Sequence, residues 1–84
     1  MPGTFGDTLT YSLNRLAGTL VADIPTLDDA GAANVWAGTS GLSLVGALNV
    51  KALNTLPTYL DLNGVLNQLA GTTGLGPADA ARRI

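Results

Sequence analysis

A short phrase recurs along this chain, and it constrains the fold more than any other feature. Asn14-Arg15-Leu16-Ala17-Gly18-Thr19 returns as Asn34-Val35-Trp36-Ala37-Gly38-Thr39 and as Asn67-Gln68-Leu69-Ala70-Gly71-Thr72. The last two copies continue alike, as Ser40-Gly41-Leu42 and Thr73-Gly74-Leu75. A degenerate copy, Asn49-Val50-Lys51-Ala52, lies between them. Each full copy follows an apolar stretch and carries a helix-stop glycine. Repeated helix-and-stop units build scaffolds more readily than catalytic sites.

Composition narrows the chemistry by what it omits. The chain has no Cys, no His and no Glu. Its acids are Asp7, Asp23, Asp28, Asp29, Asp61 and Asp79, and its bases are Arg15, Lys51, Arg82 and Arg83. Thiol nucleophiles, imidazole bases, disulfides and the common zinc sites are therefore excluded. A net charge of -2 argues against a nucleic-acid groove, which needs a basic patch. No catalytic residue, cofactor site or metal site is expected.

Eighty-four residues allow one domain at most, with 1–84 either a single small helical domain or an extended helical docking chain. At that size an isolated core is marginal. Yet 46% of the residues are hydrophobic and only 12% are charged. Such an apolar excess predicts docking or homo-oligomeric contacts; the competing reading is a well-packed Ala/Leu-rich monomer. The uncharged stretch from Ala30 to Val50 approaches the ~20 residues that span a bilayer. Asn34, Asn49, Thr39, Ser40 and Ser43 interrupt it, as do four glycines, and basic flanks are nearly absent, so no membrane span is expected. The N-terminus has no basic segment leading into an apolar one, so no signal peptide is expected either.

The predicted fold is all-α: several short helices separated by Gly/Thr/Pro turns, in a repeat-like series. Met1 to Gly6 is a Pro/Gly-rich opening, and Asp7 or Thr8 caps a first helix. Leu9, Leu13, Leu16 and Leu20 then form one helical stripe, which Gly18 ends or weakens. Ile24-Pro25-Thr26 is a break, after which Thr26 caps a second helix with Asp28 and Asp29 in its first turn. Its expected buried face is Ala30, Ala33, Trp36 and Ala37. Ser43 caps a third helix, with Leu44, Val45, Leu48 and Ala52 on one side and Pro57 beyond its end. Asp61 caps a fourth, with Leu62, Val65, Leu66 and Leu69 as its stripe and Gly71 as its stop. Gly76-Pro77 opens a last short helix, where Asp79 can pair with Arg82 or Arg83. Strands are the competing assignment for the Thr- and Val-bearing segments, but no stretch alternates for long.

The candidate interface residues are Trp36, Leu44, Leu48, Leu66, Leu69, Arg82 and Arg83. Trp36 serves equally as a core residue or as an interface anchor. Arg82 and Arg83 could contact phosphate or an acidic partner; near a helix C-terminus they are also simply favourable. Asp28-Asp29 reads as a pair of helix N-terminal acids, with no EF-hand spacing around it. Gly71 to Gly76 is Gly-rich but lacks the Lys and strand of a phosphate loop. The recurring asparagines read as structural, each amide serving carbonyls at a helix end or on a packed neighbour.

The segment from Leu66 to Ile84, and the similar Ala32 to Leu42 followed by Val45 to Asn49, resemble segments of structural proteins from tailed phages of actinobacteria. The resemblance covers about half of the chain and carries no catalytic signature. It implies a virion component: a minor capsid or decoration protein, or a part of the neck or tail. Its partner would then be the major capsid protein or another virion protein. A holin-like membrane protein would require Ala30 to Val50 to span. A DNA-binding regulator would require bases less dispersed than these four.

Overall fold

The computed structural model describes residues 8–84. The expectations for Met1 to Gly6 and for Asp7 fall outside them. Five helices follow in order: α1 Leu9–Ala17, α2 Asp29–Ala37, α3 Leu44–Lys51, α4 Leu62–Ala70 and α5 Pro77–Arg82. The all-α expectation holds only in outline. Two-residue strands β1 Leu20–Val21 and β2 Ile24–Pro25 form an antiparallel hairpin, with Val21 opposite Ile24. Ala22 and Asp23 turn it with φ of 50° and 67°, the double positive-φ geometry that matches the twist of paired strands. Leu20, expected on the first helical stripe, thus lies in β1, and the expected break at Ile24-Pro25-Thr26 begins with β2, because two-residue strands leave no alternation to detect. The hydroxyl of Tyr11 donates to Asp23 Oδ1. That bond and the neighbouring charge hold the Tyr11 phenol above its ordinary titration range.

The helix starts obey one rule. Thr8, Asp28, Ser43 and Asp61 each accept a bond from the backbone N–H three residues on. The second cap is therefore Asp28 and not Thr26, whose hydroxyl donates instead to Thr19 O. Gly76 caps α5 without a side chain, and Pro77 supplies the first-turn geometry. The glycine at the third helical position of α4 is not a stop. A Cβ on Gly64 would lie 3.0 Å from Asp61 Oδ1 and 3.2 Å from Leu60 Cβ, so the cap and the preceding leucine close over it.

The helix stops are equally uniform. Gly18, Gly38 and Gly71 lie in the left-handed region, with φ of 75°, 75° and 72°. Each donates to the carbonyl three residues back, and the following Thr donates to the carbonyl of the repeat Asn. This pair of bonds is the Schellman arrangement. In the degenerate third unit Leu53 takes the glycine's place at φ 65° and makes the same bond.

Each helix packs on the next, and α5 packs back on α1, so the five close into a ring. Arg15 secures the closure by donating to Ala81 O at 3.2 Å. The smallest extent is 14 Å, little more than one helix diameter of about 10–12 Å. Every helix thus has a neighbour on two sides, and three consecutive positions become buried: Ser12-Leu13-Asn14, Ala32-Ala33-Asn34, Ala47-Leu48-Asn49 and Val65-Leu66-Asn67. At 100° per residue, three neighbours cover a wide arc instead of a narrow stripe. This corrects the expected faces. Of the first stripe only Leu13 is fully buried, and in α2 the buried pair is Ala32 and Ala33, with Trp36 and Ala37 packed at its edge.

Gly38→Ala and Gly71→Ala should each destabilise by roughly 1–2 kcal/mol, the left-handed penalty of a Cβ; a raised melting temperature in either would refute the helix-stop geometry. Ser12 Oγ is buried with no hydrogen-bond partner, in the place where Ala32 and Ala47 stand in the next two units. Ser12→Ala should therefore raise stability by about 1 kcal/mol, as a desolvated hydroxyl is removed. Chemical denaturation of the purified chain measures both.

Candidate functional site

The expected interface residues do not form one surface. Leu48 and Leu66 have no exposed surface and belong to the chain's own core, so they are closed to any partner of the folded unit. Leu44, Leu69 and Trp36 are half-buried against that core. The Lys51 ammonium sits 5.0 Å from the centre of the Trp36 ring, a cation–π contact between α2 and α3. Arg82 pairs with Asp79 within α5, and Arg83 is the exposed C-cap residue of that helix. The leucine stripes face inward because two-sided packing consumes them.

The surface on offer lies on the connections, and the repeat asparagines build it. Asn34 sits six residues after its cap. Its Nδ2 donates to Ala30 O at 2.7 Å and to Leu42 O at 2.9 Å. Its Oδ1 accepts from Thr39 Oγ1 at 2.8 Å and from the Leu42 N–H at 3.2 Å. One amide thus uses two donors and two acceptor positions, its full capacity. Leu42 immediately precedes the next cap, Ser43, so the amide ties a helix to the start of its successor.

The other units repeat this latch. Asn14 holds both backbone groups of Leu27, Asn49 those of Leu60, and Asn67 those of Leu75. Thr19 and Thr72 supply the hydroxyl donors. In the third unit Asn54 replaces Thr. Its amide donates to Asn49 Oδ1 and also exchanges bonds with Gln68 on α4. The sequence reading assigns these amides to helix-end carbonyls or a packed neighbour. Their partners are instead a carbonyl one turn back and the leucine that closes the following connection. The signal was present, since a leucine precedes each of the caps Asp28, Ser43 and Asp61.

Because the latch clamps both ends of a connection, the length between can vary. Asn and its leucine are separated by 8 residues in the second and fourth units, by 13 in the first and by 11 in the third. The two longer connections carry most of the apolar exposure, with Val35 on α2 and Leu42 on the short second connection adding smaller shares. Val21 and Ile24, at the hairpin tip, are 65% and 52% exposed. Leu53 and Leu56, between α3 and α4, are 87% and 75% exposed. In repeat architectures such insertions are the usual place for a binding face.

The remaining candidates are occupied or uncharged. Asp28 Oδ1 accepts from the Gly31 N–H, and Asp29 Oδ1 accepts from the Thr10 hydroxyl. Among the described residues no group of three acidic side chains could hold a metal ion. The Gly-rich loop borders an open groove of about 330 Å³, lined by Asn63, Gly64, Asn67 and residues 72–75, none of them charged. Ala30 to Val50 is divided between α2 and α3, and among the described residues no helix is long and apolar enough to cross a membrane.

Asn34→Ala should cost roughly 1–3 kcal/mol, because it removes the side-chain partners of the part-buried Leu42 N–H and C=O. Thermal melting with hydrogen exchange at Leu42 checks this; an unchanged melting temperature would show that the latch is ornamental. Comparisons with family models, with curated proteins and with solved structures found no match for this chain.

Proposed function

We propose that this chain is a non-enzymatic structural protein of a tailed-phage virion, docked on the capsid as a minor capsid or decoration protein. Its partner is the major capsid protein or a neighbouring virion protein, with further copies of the chain alongside. The observation that carries the docking part is the apolar exposure on two latched insertions, at Val21 and Ile24 and at Leu53 and Leu56. Such side chains on a pre-ordered backbone lose little freedom on binding, which favours their use as anchors. The use of the buried amides points the same way: they maintain shape, with both donors and acceptors engaged inside the unit. The virion setting is supported by the likeness of Leu66 to Ile84, of Ala32 to Leu42 and of Val45 to Asn49 to phage structural segments.

A place in the neck or tail of the same particle is the competing assignment within this reading. A mass-spectrometric count of the chain in purified particles, with and without tails, separates the two. A count that follows the capsid supports decoration, one that is lost with the tails supports the neck or tail, and absence from particles rejects the virion reading.

The hairpin tip gives a sharper test. Val21→Ser with Ile24→Ser alters two exposed side chains and should leave stability within about 0.5 kcal/mol. Incorporation into particles should nevertheless fall. Full incorporation of this double variant would remove the hairpin from the docking surface.

A further inference from the structure

Leu53 stands where the other units place glycine. Its backbone is left-handed, at φ 65°, and its amide makes the same bond to Val50 O that Gly18, Gly38 and Gly71 make to their helices. A branched side chain is disfavoured there, and glycine would carry no such penalty. The leucine also gains nothing from burial, for it is the most exposed large apolar residue among those described. Two independent features, a strained conformation and apolar exposure, thus act against this side chain within the folded unit. The chain's own fold gives no reason to keep it, and strain of this kind gathers at functional positions.

The surroundings hold Leu53 in place instead of letting it relax. The Asn54 N–H donates to Asn49 O, the Asn54 side chain bonds Asn49 and Gln68, and the connection ends at Leu60 under the Asn49 latch. We infer that Leu53, with Leu56 beside it on the same connection, is an anchor that inserts into an uncharged apolar recess on a protein partner. The inference rests on the docking role proposed above and names the residue that determines it.

Charge and area favour a protein recess over the other occupants. Residues 52–60 contain no charged side chain. The nearest base, Lys51, lies over the Trp36 ring, Arg15 is bonded to Ala81 O, and Arg82 is paired with Asp79. An anionic lipid surface selects clustered bases, and this loop presents none. Two copies of the chain meeting through this loop alone would bury a few leucines, well short of the about 800 Å² per partner in a stable dimer.

The test pairs stability with incorporation. Leu53→Gly and Leu53→Asn both suit left-handed backbone and remove the apolar side chain; Leu53→Met keeps an apolar side chain. The glycine variant of the purified chain should melt at a higher temperature than the wild type. In particles, the Gly and Asn variants should be incorporated about tenfold less than wild type, as for an interface hot spot, and the Met variant near normally. A lower melting temperature for Leu53→Gly would remove the strain premise, and normal incorporation of Leu53→Gly would remove the anchor; either overturns the inference. Flotation of the wild-type chain with phosphatidylglycerol vesicles, abolished in Leu53→Gly, would assign the leucine to lipid. Dimerisation in sedimentation equilibrium, abolished in the same variant, would assign it to a second copy. Both outcomes overturn the protein recess. Absence of the wild-type chain from particles rejects the virion reading itself, and the inference with it.

Discussion

A buried asparagine that bonds its own helix and the connection that follows it is the interaction on which the rest of this structure depends. The position is demanding. The residue's backbone carbonyl receives the bond that terminates the helix, while its side chain grips the leucine before the next cap. A helix of eight or nine residues is too short to persist alone in water. Here α1 to α4 are each terminated at the backbone carbonyl, and joined to their successor by the side chain, of one Asn. Only a carboxamide offers two donors and two acceptors without charge, and a charged group would carry a large desolvation penalty.

The latch also separates shape from surface. Clamping a connection at both ends lets it lengthen with little effect on the helices, since loop length enters stability only logarithmically. The first connection uses its extra residues for a hairpin, the third for the leucine-bearing turn. The helices meanwhile need small residues, because each has neighbours on two sides in a layer 14 Å deep. Ala32, Ala33, Ala47, Ala80 and Ala81 meet that need. The high apolar content, which reads as a surplus calling for partners, is largely consumed by a closed ring. The most exposed apolar side chains, Leu53, Leu56 and Val21, sit on the insertions.

Much of the local structure was legible in the chain. The glycine after Ala17, Ala37 and Ala70 does stop each helix in left-handed geometry, and Ser43, Asp61 and Gly76 do start theirs. These signals act over three to five residues, so one sequence contains them whole. The second helix starts at Asp28 and not at Thr26, because both side chains can cap and the choice falls to the one that follows Leu27, the leucine held by Asn14. The hairpin was missed because two-residue strands have no period. Leu48 and Leu66 stand among the candidate interface residues, although they are core, because a helical stripe does not reveal whether it faces a neighbour or a partner.

The sequence by itself determined that short capped helices repeat around an asparagine, that a left-handed glycine stops three of them, and that no thiol or imidazole chemistry is available. Capping, left-handed stops and side-chain inventory are local properties, set by the residues at hand. Only the tertiary structure decided that the Asn amide reaches the leucine 8 to 13 residues on, that α5 returns to α1, and that Leu53 and Val21 face outward while Leu48 does not. Those outcomes depend on which surfaces meet. The same apolar side chain lowers the free energy against any apolar neighbour, and ring closure chose among them.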